Sequence, residues 1–145
     1  MKVRMSFTDA MKVAGVPMLK LLVNGHEGVF VVDTGANCCQ IDEEFAKEIG
    51  AEEIPSSTKS TISLGGRTPV SHSYYVTFTL GEWELSEVPC TGNNFGTAKE
   101  YLRRKGVRMD GIIGVPVMSA LHAVIDMNEC TLTFNLLDVD ETEES

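Results

Sequence analysis

Along most of the chain apolar and polar positions alternate with a period of two. They do so in short runs rich in β-branched and aromatic residues, bounded by Gly, Pro and Asn. Period two is the signature of strands with one face buried, so the pattern predicts a mainly-β domain rather than alternating βαβ units. Residues 16–23 and 28–32 flank Asn24-Gly25-His26-Glu27, and Asn-Gly between apolar runs marks a tight hairpin. A second hairpin is expected between residues 58–64 and 68–80, turning at Gly65-Gly66. A third turns at Gly81-Glu82 and sends Trp83 to Val88 back along the same sheet. Lys2 to Phe7 also alternates and reads as an edge strand.

Helical signals are few, and two to three short helices are expected. Asp42 is placed to cap a helix running from Glu43 to Ile49, with Phe45 and Ile49 as its buried stripe and Gly50 at its end. Thr97-Ala98-Lys99-Glu100 has capping-box spacing, and Gly106 follows the basic run Arg103-Arg104-Lys105 that suits a helix C-terminus. A shorter helix is expected from Pro116 to Leu121, since proline is tolerated in the first helical position.

Composition narrows the class. A chain of 145 residues with 43% apolar content supports one domain with a real core, expected over residues 1–137. Residues 138–145 carry five acids and no base and read as a solvated, disordered tail; without them the formal charge of −9 becomes −4. An acidic balance argues against a phosphate-backbone partner, so no nucleic acid is expected. No apolar run approaches the roughly 20 residues that span a bilayer, and no signal-peptide pattern follows the first charges. With four cysteines, Cys38, Cys39, Cys90 and Cys130, this fits a reduced, cytoplasmic protein without a membrane partner.

The stretch that carries chemistry is Val29-Phe30-Val31-Val32-Asp33-Thr34-Gly35-Ala36. A continuous apolar run predicts a strand covered on both faces. It ends abruptly in an acid, a hydroxyl and a glycine, which puts Asp33 where the sheet stops and lets the chain bring the Gly35 N–H close to the carboxylate. Here the chain resembles the aspartic peptidases, in particular their single-domain, retropepsin-like branch. Asp33-Thr34-Gly35-Ala36 matches that family's catalytic motif, and Asp110-Gly111-Ile112-Ile113-Gly114 looks like its second-half signature. Val124-Ile125-Asp126 and Cys130-Thr131-Leu132-Thr133-Phe134 are similar to its closing strand pair, and Leu64-Gly65-Gly66-Arg67 lies where the tip of its flap would fall.

The resemblance implies a closed-barrel-like lobe with a flap hairpin, working as a homodimer on peptide or protein substrates with neither metal nor cofactor. Hydrolysis by this route needs a water between two carboxylates, one ionised and one protonated. The chain offers one Asp-Thr-Gly loop: Asp110 and Asp126 lack the following Thr/Ser-Gly, so the second carboxylate is expected from the partner's copy of Asp33. Thr34 is implied to reach across the dimer, and Gly35 to hydrogen-bond the dyad. Ala36, Ile62, Leu64, Gly65, Gly66, Ile112 and Ile113 are the expected substrate-binding residues. The flap glycines would close over an extended peptide and the isoleucines and leucine would make the subsites apolar.

Other chemistries fit less well. Cys38 or Cys39 with His26, His72 or His122 as base lacks any local pairing, there is no C-x-x-C for zinc, and Leu64-Gly65-Gly66-Arg67 lacks the Gly-Lys-Ser/Thr ending of a phosphate loop. A different class of function also stands: a catalytically silent, dimeric peptide-binding or scaffolding module of the same fold. Residues 91–109 exceed the short family pattern, and two places are open to them, over the substrate cleft or at the dimer contact. Lys2 to Phe7 is a candidate for the dimer sheet, a role the acidic tail disfavours for the C-terminus.

Overall fold

In the computed structural model residues 1–55, 61–63, 66–68 and 72–136 are described. The expected tail at 138–145, and Leu64 and Gly65, lie outside the described residues. Strands β1 (Lys2–Ser6), β2 (Met18–Val23), β3 (His26–Val32), β4 (Cys39–Asp42) and β5 (Glu52–Glu53) make up the first half, with helices α1 (Ala10–Ala14) and α2 (Glu43–Glu48). There follow β6 (Thr61–Ser63), β7 (Gly66–Thr68), β8 (Ser73–Leu80) and β9 (Trp83–Asn93). The chain then runs through α3 (Gly96–Arg104), β10 (Gly111–Ile113), α4 (Val115–Ala120), β11 (Val124–Asp126) and β12 (Thr131–Asn135).

Six strands close into a barrel in the order β2-β3-β10-β4-β9-β8, with β8 returning to β2 through Leu22↔Thr79 and Val23↔Phe78. The Asn24-Gly25 turn that joins β2 to β3 has φ of 50° and 80°, as a two-residue hairpin requires. Asn24 also fastens the closure, because its Oδ1 accepts from the Thr77 N–H at 2.8 Å and its own N–H donates to the Thr77 carbonyl at 2.9 Å. A separate sheet, β1-β12-β11, leaves β1 at an edge, as its alternation predicts.

The barrel core is built from the inward set of each strand. Phe30 packs edge-to-face on Phe78 at 5.4 Å and on Phe45 of α2 at 6.3 Å. Truncating such a buried ring to alanine typically costs about 3–5 kcal/mol. A bulge between Val76 and Phe78, with Glu87 at φ 54°, lets β9 bend. The bend allows β9 to pair with β8 between Trp83 and Thr91 and with β4 over Cys90–Asn93.

Several expectations are corrected. There are four helices among the described residues rather than two to three. The extra one, α1, has a single buried residue, Ala10, and so no periodic stripe to betray it. Strand β9 runs five residues past Val88, so residues 91–93 of the expected extra segment 91–109 belong to a barrel strand. Helix α3 is not opened by a Thr97 capping box. It starts a residue earlier, after Phe95 at φ 57°, and the asparagines before it hold the turn: Asn93 Oδ1 accepts from the Phe95 N–H and Asn94 Oδ1 from the Gly96 N–H. The β6–β7 ladder pairs Ser63 with Gly66, so Gly66 belongs to the return strand and not to the turn expected at Gly65-Gly66.

Candidate active site

The site is organised by a crossing of strands that are distant in sequence. β10 lies between β3 and β4, parallel to the first (Ile112↔Val31, Ile113↔Val32) and antiparallel to the second (Gly111↔Ile41). The loop 33–38 between β3 and β4 therefore has to pass over the end of β10. Two glycines make this possible: a Cβ on Gly114 would lie 2.8 Å from the Cys38 carbonyl carbon and 2.9 Å from the Ala36 oxygen, and one on Gly111 would run into the Phe30 ring and the Gln40 carbonyl. Backbone bonds lock the crossing, with Asp33 N–H donating to the Ile113 carbonyl at 3.1 Å and Val115 N–H to the Ala36 carbonyl at 2.9 Å.

Asp33 sits just past the end of β3, half-buried, at the point where pairing stops. The chain turns at once: Ala36 N–H reaches the Asp33 carbonyl at 3.2 Å, and Gly35 N–H donates to Asp33 Oδ1 at 2.8 Å. Thr34 and Gly35 are exposed, and among the described residues nothing engages the Thr34 hydroxyl. A shallow cavity of about 550 Å³ lies beside the loop, walled by residues 34–37 and by Val115, Pro116, Ser119 and Ala120 at α4.

Of the expected substrate residues, Ala36 lies in this loop and Ile112 is half-buried next to Val31. Ile113 is 1% exposed and belongs to the barrel core, so its side chain is spent on packing. Ile62 and Gly66 are in the separate β6–β7 hairpin, Ile62 opposite Arg67. Leu64 and Gly65 fall outside the described residues.

Two buried carboxylates sit at the other end of the same strands. Asp42 caps α2, accepting from the Phe45 N–H at 3.1 Å, and pairs with Lys99 at 3.0 Å. Asp110 accepts from the Val29 N–H at 2.9 Å and pairs with Arg108 at 2.8 Å. Burial pushes the Asp110 carboxyl up from its ordinary value, opposed by the Val29 N–H and Arg108. Because Asp110 adjoins Val29, four residues from Asp33 along β3, the separation is on the order of 13 Å at strand rise. Another cavity, of about 570 Å³, lies here between α2, α3 and residues 106–110, and its two buried acids, Asp42 and Asp110, are paired with Lys99 and Arg108.

The cysteines add a feature that motif reading passed over. Cys39 and Cys90 face each other across β4 and β9, both buried, and Cys39 Sγ also accepts from the Gly114 N–H at 3.5 Å. The Cys90 thiol donates to Cys39 and so lowers it, against burial, whereas Cys90 is pushed up. His72, one of the bases considered for Cys39, pairs instead with Glu53 at 3.2 Å.

Residues 19–117 match the model of the aspartyl protease family. The chain belongs to that family. No curated protein matches it in sequence. Among solved structures the chain is similar to a retropepsin-like aspartic protease from Rickettsia conorii, with 15% identity, a TM-score of 0.56, and 92% of this chain and 90% of that one covered. It is also similar to the retroviral protease-like domain of Ddi1 from Leishmania major, with 14% identity, a TM-score of 0.55, and 84% and 90% covered. A third similar structure is EIAV protease in complex with the inhibitor HBY-793, with 14% identity, a TM-score of 0.53, and 77% and 93% covered. At these identities the likeness is one of fold: this member of the family has the retropepsin-like barrel, and none of its helices among the described residues is long and apolar enough to cross a membrane.

Proposed function

We propose that the protein is an aspartic endopeptidase whose working unit is a two-fold homodimer, with Asp33 of each copy forming the dyad. The observation that carries this reading is the state of the Asp33 loop. Its carboxylate is held at an exposed strand end by the Gly35 N–H, beside an unengaged Thr34, while the buried acids Asp42 and Asp110 are committed elsewhere. A single carboxylate cannot be general base and general acid in one step. An isologous contact that joins two exposed 33–37 loops supplies the second.

In the dimer the two carboxyl groups share one proton, since like charges about 3 Å apart do not both ionise. The ionised member takes a proton from the bound water, whose oxygen attacks the scissile carbonyl carbon. The protonated member hydrogen-bonds the carbonyl oxygen, and the resulting diol collapses as a proton passes to the leaving amine. Gly35 N–H holds its carboxylate in place, Thr34 bonds the partner loop, and the β6–β7 hairpin folds over the substrate and excludes water. Ile62, Leu64, Gly65 and Gly66 serve there as the flap, and Ala36 and Ile112 as the cleft floor. The four free thiols suit a reducing, cytoplasmic setting.

The deciding experiment is Asp33→Asn in a digest of a mixed peptide library. Loss of cleavage with folding and dimerisation intact is expected. Unchanged cleavage overturns the mechanism, and a wild type that binds library peptides in the same cleft without cutting any is the silent binding module.

A further inference from the structure

Cys39 and Cys90 stand in register on the neighbouring parallel strands β4 and β9, and both side chains lie in the barrel core. The mechanism uses neither of them. Paired strands run about 4.8 Å apart, and a disulfide needs Cα atoms roughly 4.4–6.8 Å apart with both side chains on one side of the sheet. This pair meets both conditions, and its thiols are already joined by a hydrogen bond from Cys90 to Cys39. The two sulfurs can be bonded without moving the strands.

The position of Cys39 ties the pair to the Asp33 loop. It is the first residue of β4, directly after the loop 33–38, and its Sγ accepts from the Gly114 N–H at 3.5 Å. Gly114 lies in the strand crossing, between the Ile113 carbonyl that accepts from the Asp33 N–H and the Val115 N–H that donates to the Ala36 carbonyl. Cys39 therefore supplies a side-chain bond to the set that holds the loop over β10. The Cys90 thiol, against burial, and the Gly114 N–H bring Cys39 down to about 7. A share of it is then thiolate at neutral pH, the form that peroxides oxidise.

We propose that Cys39 and Cys90 form a redox switch: hydrogen peroxide converts them to an intrachain disulfide, which draws Cys39 Sγ away from the Gly114 N–H and slackens the Asp33 loop. The Cys39 thiolate attacks one peroxide oxygen and the O–O bond breaks, leaving a sulfenic acid and releasing hydroxide. The Cys90 sulfur then attacks the Cys39 sulfur, the S–O bond breaks, and the hydroxyl leaves with the Cys90 proton as water. In sum the two thiols give up two electrons and two protons, and one peroxide becomes two waters. A dithiol reductant reverses the bond by thiol–disulfide exchange. The disulfide stands on geometry alone; its effect on cleavage rests on the aspartic-peptidase reading.

The test treats full-length protein with hydrogen peroxide, blocks the remaining thiols in denaturant and maps linked peptides by mass spectrometry. A Cys39–Cys90 link is expected that disappears with dithiothreitol, persists in Cys38→Ser and is absent from Cys90→Ser. Oxidation confined to Cys38 and Cys130, or a link that is lost in Cys38→Ser, overturns the proposal. Peptide cleavage by oxidised wild type should fall roughly tenfold or more and return with dithiothreitol. Cys90→Ser leaves Cys39 and its bond to Gly114 in place and should keep its rate in peroxide; equal inactivation of this variant overturns the switch. If wild type cuts nothing, the catalytic reading fails, and the Gly35 and Gly114 amide resonances in nitrogen-15 spectra still decide the switch. They should shift on oxidation, and a mapped disulfide that leaves both unmoved refutes the link to the loop.

Discussion

The Gly35 amide donates to Asp33 Oδ1 at 2.8 Å, and a Cβ built on Gly35 would lie 3.2 Å from that same oxygen. What demands glycine here is the close approach of backbone to carboxylate, not a left-handed turn. In Gly35→Ala the carboxylate has to shift by a few tenths of an ångström and the hydrogen bond lengthens. A reacting group so displaced is expected to lose roughly tenfold to a hundredfold in kcat, with the melting temperature of this exposed position little changed. Steady-state kinetics beside thermal unfolding separates the two. An equal loss of stability and activity would instead make Gly35 a purely structural residue.

Asp110 links the site's floor to stability. Burial raises its pKa more than the Val29 N–H and Arg108 lower it, so the folded chain holds the proton more tightly than the unfolded one. The contribution is then fully favourable below the unfolded carboxylate value of about 3.9 and is lost as pH rises through the folded value. Asp110→Asn keeps an acceptor for the Val29 N–H but cannot titrate. The melting temperature of wild type minus that of Asp110→Asn should accordingly be larger in acid, near the unfolded carboxylate value, than at neutral pH. The reverse trend would mean that the Arg108 ion pair outweighs burial. Asp110→Ala leaves the Val29 N–H without its acceptor and should cost about 1–3 kcal/mol at either pH.

Cys39 and Cys90 occupy opposed positions on β4 and β9 and are 2% and 1% exposed, whereas Cys38 and Cys130 are half-buried. A thiol reagent should therefore titrate two groups of the native chain readily and the other two only on unfolding. Rapid reaction of all four would show that the β4–β9 seam opens locally. Peptide cleavage blocked by modification of Cys39 alone would move the chemistry from Asp33 to sulfur.

How much of this was legible in the sequence follows the range of the interactions. Short-range signals read correctly: Asn24-Gly25 makes its turn, Asp42 caps its helix through the Phe45 N–H, and the apolar run 29–32 is covered on both faces. Features fixed by partners far along the chain did not. The three-residue β10 has its identity from lying between β3 and β4, and no local pattern tells that Ile112 faces outward while Ile113 fills the core. Strand β9 contains Pro89 and Gly92, residues that read as a strand ending. Pro89 is accommodated because it precedes the stretch, from Cys90 onward, where β4 pairs on the other side. The Asp33 loop was legible because its Asp-Thr-Gly motif is local, and the packing of Leu102 and Met109 against Ile112 was not, because it joins residues from separate elements.

The dimer is the part of the proposal that a mixing experiment tests most directly. The two buried acids of the described residues are committed away from Asp33: Asp110 lies on the order of 13 Å away along β3 and is held by Arg108, and Asp42 is held by Lys99. If each working unit needs two ionisable Asp33 carboxyls, a heterodimer of wild type with Asp33→Asn is dead. When equal amounts of the two are mixed and allowed to exchange, roughly one quarter of the dimers are wild type on both sides. The activity should then fall to roughly half of what the same amount of wild type gives undiluted by the variant. Sedimentation at micromolar concentration should show a two-chain species for wild type and variant alike. Activity that stays proportional to the wild-type chains present, or a fully active monomer, would overturn the shared dyad, because one Asp33 would then be acting as both acid and base.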